Sequence, residues 1–290
     1  MGVYTLQNSD IKISVNSKGA ELTSIINKNG NELLWQAEKD IWPRHAPVLF
    51  PIVGRLKNNQ YQSGENEFTL SQHGFARDVE FEMIEQSENA ISFELTASEE
   101  SLKIFPFHFS LIITYQIKKN RIKTVYKVFN PDSKDLYFSI GAHPGFKTNI
   151  LPGENMSDYS IKIEGKQMLT AEILKDGLLT GETREIHLNE GILKLDSHTF
   201  DNDALVFKNS QIEKITLFSS KSGNRIEMNC KGWPYFGIWS KKDCDKFICL
   251  EPWCGITDSI NSTGNLNEKE GILIVNPYQF SEIEYILLLG

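Results

Sequence analysis

Apolar and polar residues alternate with a period of two along much of the chain, most clearly over residues 11–15, 91–95, 111–117 and 122–128. Such alternation predicts strands with one buried face. Lys118, Lys119 and Asn120 form a short polar connection between the last two, which predicts an antiparallel hairpin. Further strands are expected at 159–163, 204–207, 214–218, 225–230, 236–239, 247–250, 272–275 and 280–288. Only 98–105 reads as a helix: Ser98 caps it, Glu99 and Glu100 suit its positive end, and Pro106 stops it. One short helix cannot supply the crossovers of a parallel sheet, so the pattern predicts an all-β, antiparallel sandwich or barrel. No repeat, low-complexity stretch or linker rich in Pro, Gly or Ser interrupts the chain, and residues 1–290 are expected to form a single domain.

The 290 residues are 40% hydrophobic and 23% charged, an ordinary globular balance that allows a large core. The net charge is −8, and the 30 Lys and Arg residues never form a run of five, so no nucleic-acid partner is expected. The first residues lack a basic segment followed by an apolar one, and no eighteen apolar residues occur together, so neither export nor a membrane span is expected. Gly2 meets the first demand of a myristoylation signal, but Leu6 stands where Ser or Thr is required. Cys230, Cys244, Cys249 and Cys254 lack paired C-x-x-C spacing, which favours reduced thiols in a cytoplasmic protein over a zinc site. No metal and no cofactor is expected.

Four clusters place ionisable residues beside Gly or Pro, where strands are expected to end and the backbone to turn towards a cleft. They are Pro51-Ile52-Val53-Gly54-Arg55, Gln72-His73-Gly74-Phe75-Ala76-Arg77, Gly141-Ala142-His143-Pro144-Gly145-Phe146 and Leu250-Glu251-Pro252-Trp253. Each alone has an ordinary reading. A His before Gly or Pro is commonly a turn residue, and a Glu after an apolar strand is commonly a solvated rim.

As an ordered set, Arg, then His-Gly-Phe, then His-Pro, then Glu-Pro, the clusters resemble the aldose 1-epimerase (galactose mutarotase) family, and most closely its bacterial LacX-like branch. The resemblance covers most of the chain. It implies a large antiparallel β-sandwich of the supersandwich type, with a sugar cleft on one concave face and a small-molecule sugar as partner. It also implies catalytic roles for three residues: Glu251 as general base, His143 as general acid, and His73 as a hydrogen-bonding partner near the ring oxygen. Arg55 would hold sugar hydroxyls, and an aspartate between the His-Pro and Glu-Pro motifs would bind another; Asp203 is its counterpart here, with Asp201 the alternative. Two departures leave sugar preference open. Gly145-Phe146 stands after His143-Pro144 where better-known members have an aromatic pair, and Trp253 stands where they have Gln.

The chemistry suits these residue types. Anomer exchange needs a base for the anomeric hydroxyl and an acid for the ring oxygen, and each contributes about 10²- to 10⁴-fold. Histidine, with an ordinary pKa of about 6.5, can hold or release a proton near neutrality. Aromatic faces cover the C–H face of a pyranose, which makes Phe75, Trp239 and Trp253 candidates beside the motifs, and Trp42 and His45 candidates for the rim. Arg44, Arg55 and Arg77 leave open a phosphorylated hexose as a variant of a free aldohexose, because guanidinium forks suit phosphate. Two other classes stay open: a retaining glycosidase using Glu251 and Asp203, which would leave the histidines without roles, and a non-catalytic sugar-binding protein. A monomer or homodimer is expected.

Overall fold

The computed structural model describes residues 2–164, 166–196 and 198–290. Two large antiparallel sheets dominate it. The nine-stranded sheet runs in the order Ile192–Lys194, Tyr159–Ile163, Lys214–Ser219, Arg225–Asn229, Phe280–Leu289, Arg121–Phe129, Ser110–Lys118, Ala90–Thr96 and Glu82–Gln86. The eight-stranded sheet runs Leu178–His187, Met168–Lys175, Leu205–Phe207, Tyr235–Trp239, Phe247–Cys254, Ile140–Ala142 and Val48–Leu49, with Gly145–Lys147 also paired to Phe247–Cys254. A three-stranded sheet of Val3–Gln7, Ile11–Asn16 and Leu22–Asn27 and two two-stranded ribbons complete the β structure. The one α-helix among the described residues, Glu99–Ile104, begins at Ser98, whose hydroxyl accepts the Ser101 N–H.

The expected hairpin is present: Arg121–Phe129 pairs with Ser110–Lys118 from Arg121 opposite Lys118 to Phe129 opposite Ser110. Both strands bury every second residue, as their alternation requires. One contiguous core, from Leu6 to Leu289, joins the inner faces of both large sheets.

The strand Phe247–Cys254 departs from the expected pattern. It continues through Glu251-Pro252-Trp253 rather than ending before them, and all eight of its residues are buried. Neighbours on both edges and cover on both faces explain the lost alternation. Ile248 and Leu250 point into the main core, while Phe247 and Cys249, and Trp253, belong to separate clusters on the opposite face. The neighbouring strand is broken, with Ile140–Ala142 and Gly145–Lys147 flanking His143-Pro144.

Candidate active site

The break and the continuous strand together create the site. Gly141 pairs with Trp253 and Gly145 with Cys249, a register that sets His143 opposite Glu251. Directly opposed residues in antiparallel strands have their Cβ atoms about 4.5–5.5 Å apart, within reach of side-chain contact. His143 Nε2 lies 3.2 Å from Glu251 Oε2. Period-two geometry then carries Cys249, Glu251 and Trp253 on the same face as the pair.

Trp253 lies against this face because its neighbours lack side chains. A Cβ on Gly237 would come within 2.4 Å of the Trp253 ring, and one on Gly141 within 2.6 Å. The indole therefore forms a wall of a cavity of about 300 Å³, which His73, Arg77, His143, Asp203, Trp239 and Glu251 also line. Trp42 stacks on the His143 imidazole with ring centroids 5.0 Å apart, and Trp239 meets its edge at 5.9 Å.

His73 is held by its own loop. Its N–H donates to Gly54 O at 2.8 Å, and its Nδ1 accepts the Gly54 N–H at 3.1 Å. An accepting Nδ1 places the ring proton on Nε2. Burial lowers the His73 pKa well below the usual imidazole value, and His143, Arg77 and Arg44 add to the effect. His73 is thus a neutral donor, with its ring centroid 5.6 Å from that of His143.

Burial dominates the central pair as well. Glu251 is 2% exposed and His143 8%. Desolvation pushes the Glu251 carboxyl well above its usual range and Asp203 raises it further, while the Trp253 indole N–H lowers it. That N–H is buried and meets no acceptor at normal hydrogen-bond geometry. Desolvation pulls His143 down to about 3, assisted by Arg77 and Arg44. At these buried positions both groups favour their neutral forms, with the proton on the carboxyl.

The sequence-based candidates separate into two groups. His73, His143, Glu251, Arg77, Asp203, Trp239 and Trp253 all line the cavity, as does the rim candidate Trp42. Asp201 instead pairs with His198 Nδ1 at 2.9 Å, whereas Asp203 lines the cavity. Arg55 does not line the cavity: its guanidinium donates to Asn59 Oδ1 at 3.3 Å and to Asp176 O at 3.1 Å, binding two loops together. The guanidinium at the cavity belongs to Arg77, which donates to Gln72 O. Phe75 is half-buried and packs against the core, on Phe50, Phe105 and Phe109 at centroid separations of 6.3–6.4 Å. His45 faces Glu21 at 3.8 Å, and Arg44 pairs with Asp78 at 3.0 Å.

Several lining residues carried no sequence signal. Thr257 accepts the Arg55 N–H at 3.0 Å and lies 2.6 Å from Gly177 O, joining three loops at the cavity edge. Leu174 and Val206 line the cavity from strands further along the same sheet, and Gly177 from the turn after Met168–Lys175. Nothing local marks them; only strand order brings them there.

The fold and site define a class: an antiparallel double-sheet β-sandwich that encloses a carboxylate–imidazole pair at the wall of a cavity. The family model described as aldose 1-epimerase matches residues 2–285, and the chain belongs to that family. The plasmid-encoded LacX protein of Lactococcus lactis subsp. lactis is 32% identical over 289 residues, covering 97% of each chain. A galactose mutarotase related enzyme from Lactobacillus acidophilus superposes with a TM-score of 0.95 at 32% identity, covering 100% of this chain and 97% of that one. A galactose mutarotase-like protein from Lactobacillus casei gives 0.93 at 30% identity, with both chains fully covered.

Proposed function

We propose that this protein interconverts the α and β anomers of a free hexose by opening and reclosing the ring. The observation that carries this reading is the 3.2 Å contact between His143 Nε2 and Glu251 Oε2, at the wall of a cavity with aromatic sides. Glu251 as carboxylate takes the anomeric hydroxyl proton while protonated His143 gives one to the ring oxygen. The open aldehyde is then bound beside a neutral carboxylic acid and a neutral imidazole, the state that burial favours in this pocket. Rotation about the first carbon–carbon bond and closure with the roles reversed give the other anomer. Direct contact between the two groups lets one proton serve the whole cycle without bulk water.

The other groups divide the remaining contacts. The His73 Nε2–H serves as a fixed donor near the ring oxygen, Asp203 accepts a ring hydroxyl, and Trp239 and Trp253 cover the apolar face of the sugar. Arg77, rather than Arg55, is assigned to the hydroxyls on its side. Faster decay of optical rotation in freshly dissolved α-D-galactose or α-D-glucose than in buffer tests the reading. Saturable binding without acceleration would assign the cavity to a sugar-binding protein instead, and reducing sugar released from an aryl glycoside would assign it to a hydrolase.

Two further outcomes are expected. Asp203→Asn raises KM by about 10- to 100-fold, because a charged hydrogen bond contributes about 1.5–3 kcal/mol. Asp201→Asn, which lies off the cavity, leaves KM unchanged within about twofold; equal effects in both would remove Asp203 from the site. The pH profile of kcat/KM has its acid limb close to about 3, where His143 titrates, and its alkaline limb where Glu251 loses the shared proton, above the usual carboxylate range. An acid limb near about 6.5, the ordinary imidazole value, would contradict the buried pair.

A further inference from the structure

Cys249 is fully buried and two residues from Glu251 on the same face of the strand, yet the anomer exchange gives it no task. An imidazole nitrogen of His143, the Cys249 sulfur and a Glu251 oxygen lie within 4.8 Å of one another. Independently, His143 Nδ1 is buried and has no hydrogen-bond partner. We propose that His143, Cys249 and Glu251 form a binding site for a borderline-soft divalent cation of the Zn²⁺ type, whose occupancy takes the acid–base pair out of action.

The donor set is what Zn²⁺ selects. Imidazole, thiolate and carboxylate bind it at about 2.0–2.3 Å in tetrahedral sites. Such bonds set ligand atoms roughly 3.3–3.8 Å apart, so side-chain movements of about an ångström close the present arrangement. Three protein ligands leave a fourth position for water, on the cavity side that His143 and Glu251 line. A dication with one thiolate, one carboxylate and a neutral imidazole has no net charge, which a desolvated site tolerates best. The thiol proton and the proton shared by the pair leave to solvent as the metal enters. Mg²⁺ and Ca²⁺, which require oxygen ligands, do not compete for a site with sulfur and nitrogen.

Occupancy fixes the His143 ring and the Glu251 carboxylate that the reaction uses. This consequence rests on the proposed mutarotation, whereas the metal site itself does not. The full-length protein is therefore tested in two ways. Titration with Co²⁺ should give one near-ultraviolet thiolate-to-metal charge-transfer band, and calorimetry should give one Zn²⁺ per chain. Cys249→Ala and the volume-preserving Cys249→Ser should both lose the band and weaken Zn²⁺ binding at least about tenfold. In polarimetry, Zn²⁺ should inhibit the parent protein and Mg²⁺ should not, while both Cys249 variants keep their basal rate and resist Zn²⁺. A band that persists in both variants, or no band in the parent protein, overturns the site. Binding as expected without inhibition overturns only the link to the acid–base pair.

Discussion

Glu251→Gln and His143→Asn are each expected to lower the polarimetric mutarotation rate by about 10²- to 10⁴-fold, the contribution of one positioned acid or base. Glu251→Gln preserves shape, His143→Asn keeps a polar amide in place of the ring, and both residues are almost fully enclosed, so rescue by solvent is weak. The fold should survive. Burial already holds the carboxyl in its neutral form, so an uncharged amide of the same size brings no new charge into the site. Unchanged circular dichroism with a lost rate identifies a chemical role. Because the two groups act as one proton-exchanging unit, the double variant should be little worse than either single one. Near-normal rates in either single variant would remove the pair from the mechanism.

The second large effect concerns the support beneath the cavity. Lys269 and Asp258 form an ion pair at 2.7 Å with each side chain only 3% exposed. Lys269 also donates to Ile256 O at 2.6 Å, and Asp258 accepts the Lys57 N–H at 2.9 Å. These bonds anchor the loop carrying Thr257, which touches Arg55 and Gly177 at the cavity edge. Lys269→Met leaves a buried carboxylate without its cation and is expected to cost about 3–5 kcal/mol in urea unfolding. Lys269→Met combined with Asp258→Leu should recover part of this loss, because a hydrophobic pair can replace a buried ion pair. Recovery stays incomplete, since the Lys57 N–H then lacks its acceptor at about 1–3 kcal/mol. A single variant as stable as the parent would show that the pair is dispensable.

The apolar alternation alone located much of the β structure. Residues 159–163 coincide with the strand Tyr159–Ile163, and 214–218, 236–239 and 280–288 each fall within one residue of the observed ends. Ser98 and Pro106 bracket the α-helix Glu99–Ile104 because capping and chain termination are local effects. The sequence missed Leu178–His187 and Met168–Lys175, where polar and exposed positions blur the pattern. It also ended the site strand too early, since a strand covered on both faces has no alternation to read and Pro252 looks like a stop.

What the sequence determined by itself was a β-rich chain carrying His73, His143 and Glu251 in motifs that only chemistry could unite. Tertiary structure decided which neighbours joined them. It set Arg77 and Asp203 at the cavity wall, tied Arg55 and Asp201 into other contacts, packed Phe75 against the core, and placed Cys249 beside the catalytic candidates. The reason is range: alternation and capping depend on residues a few positions apart, whereas His143 faces Glu251 through a register set between strands about a hundred residues apart in the chain.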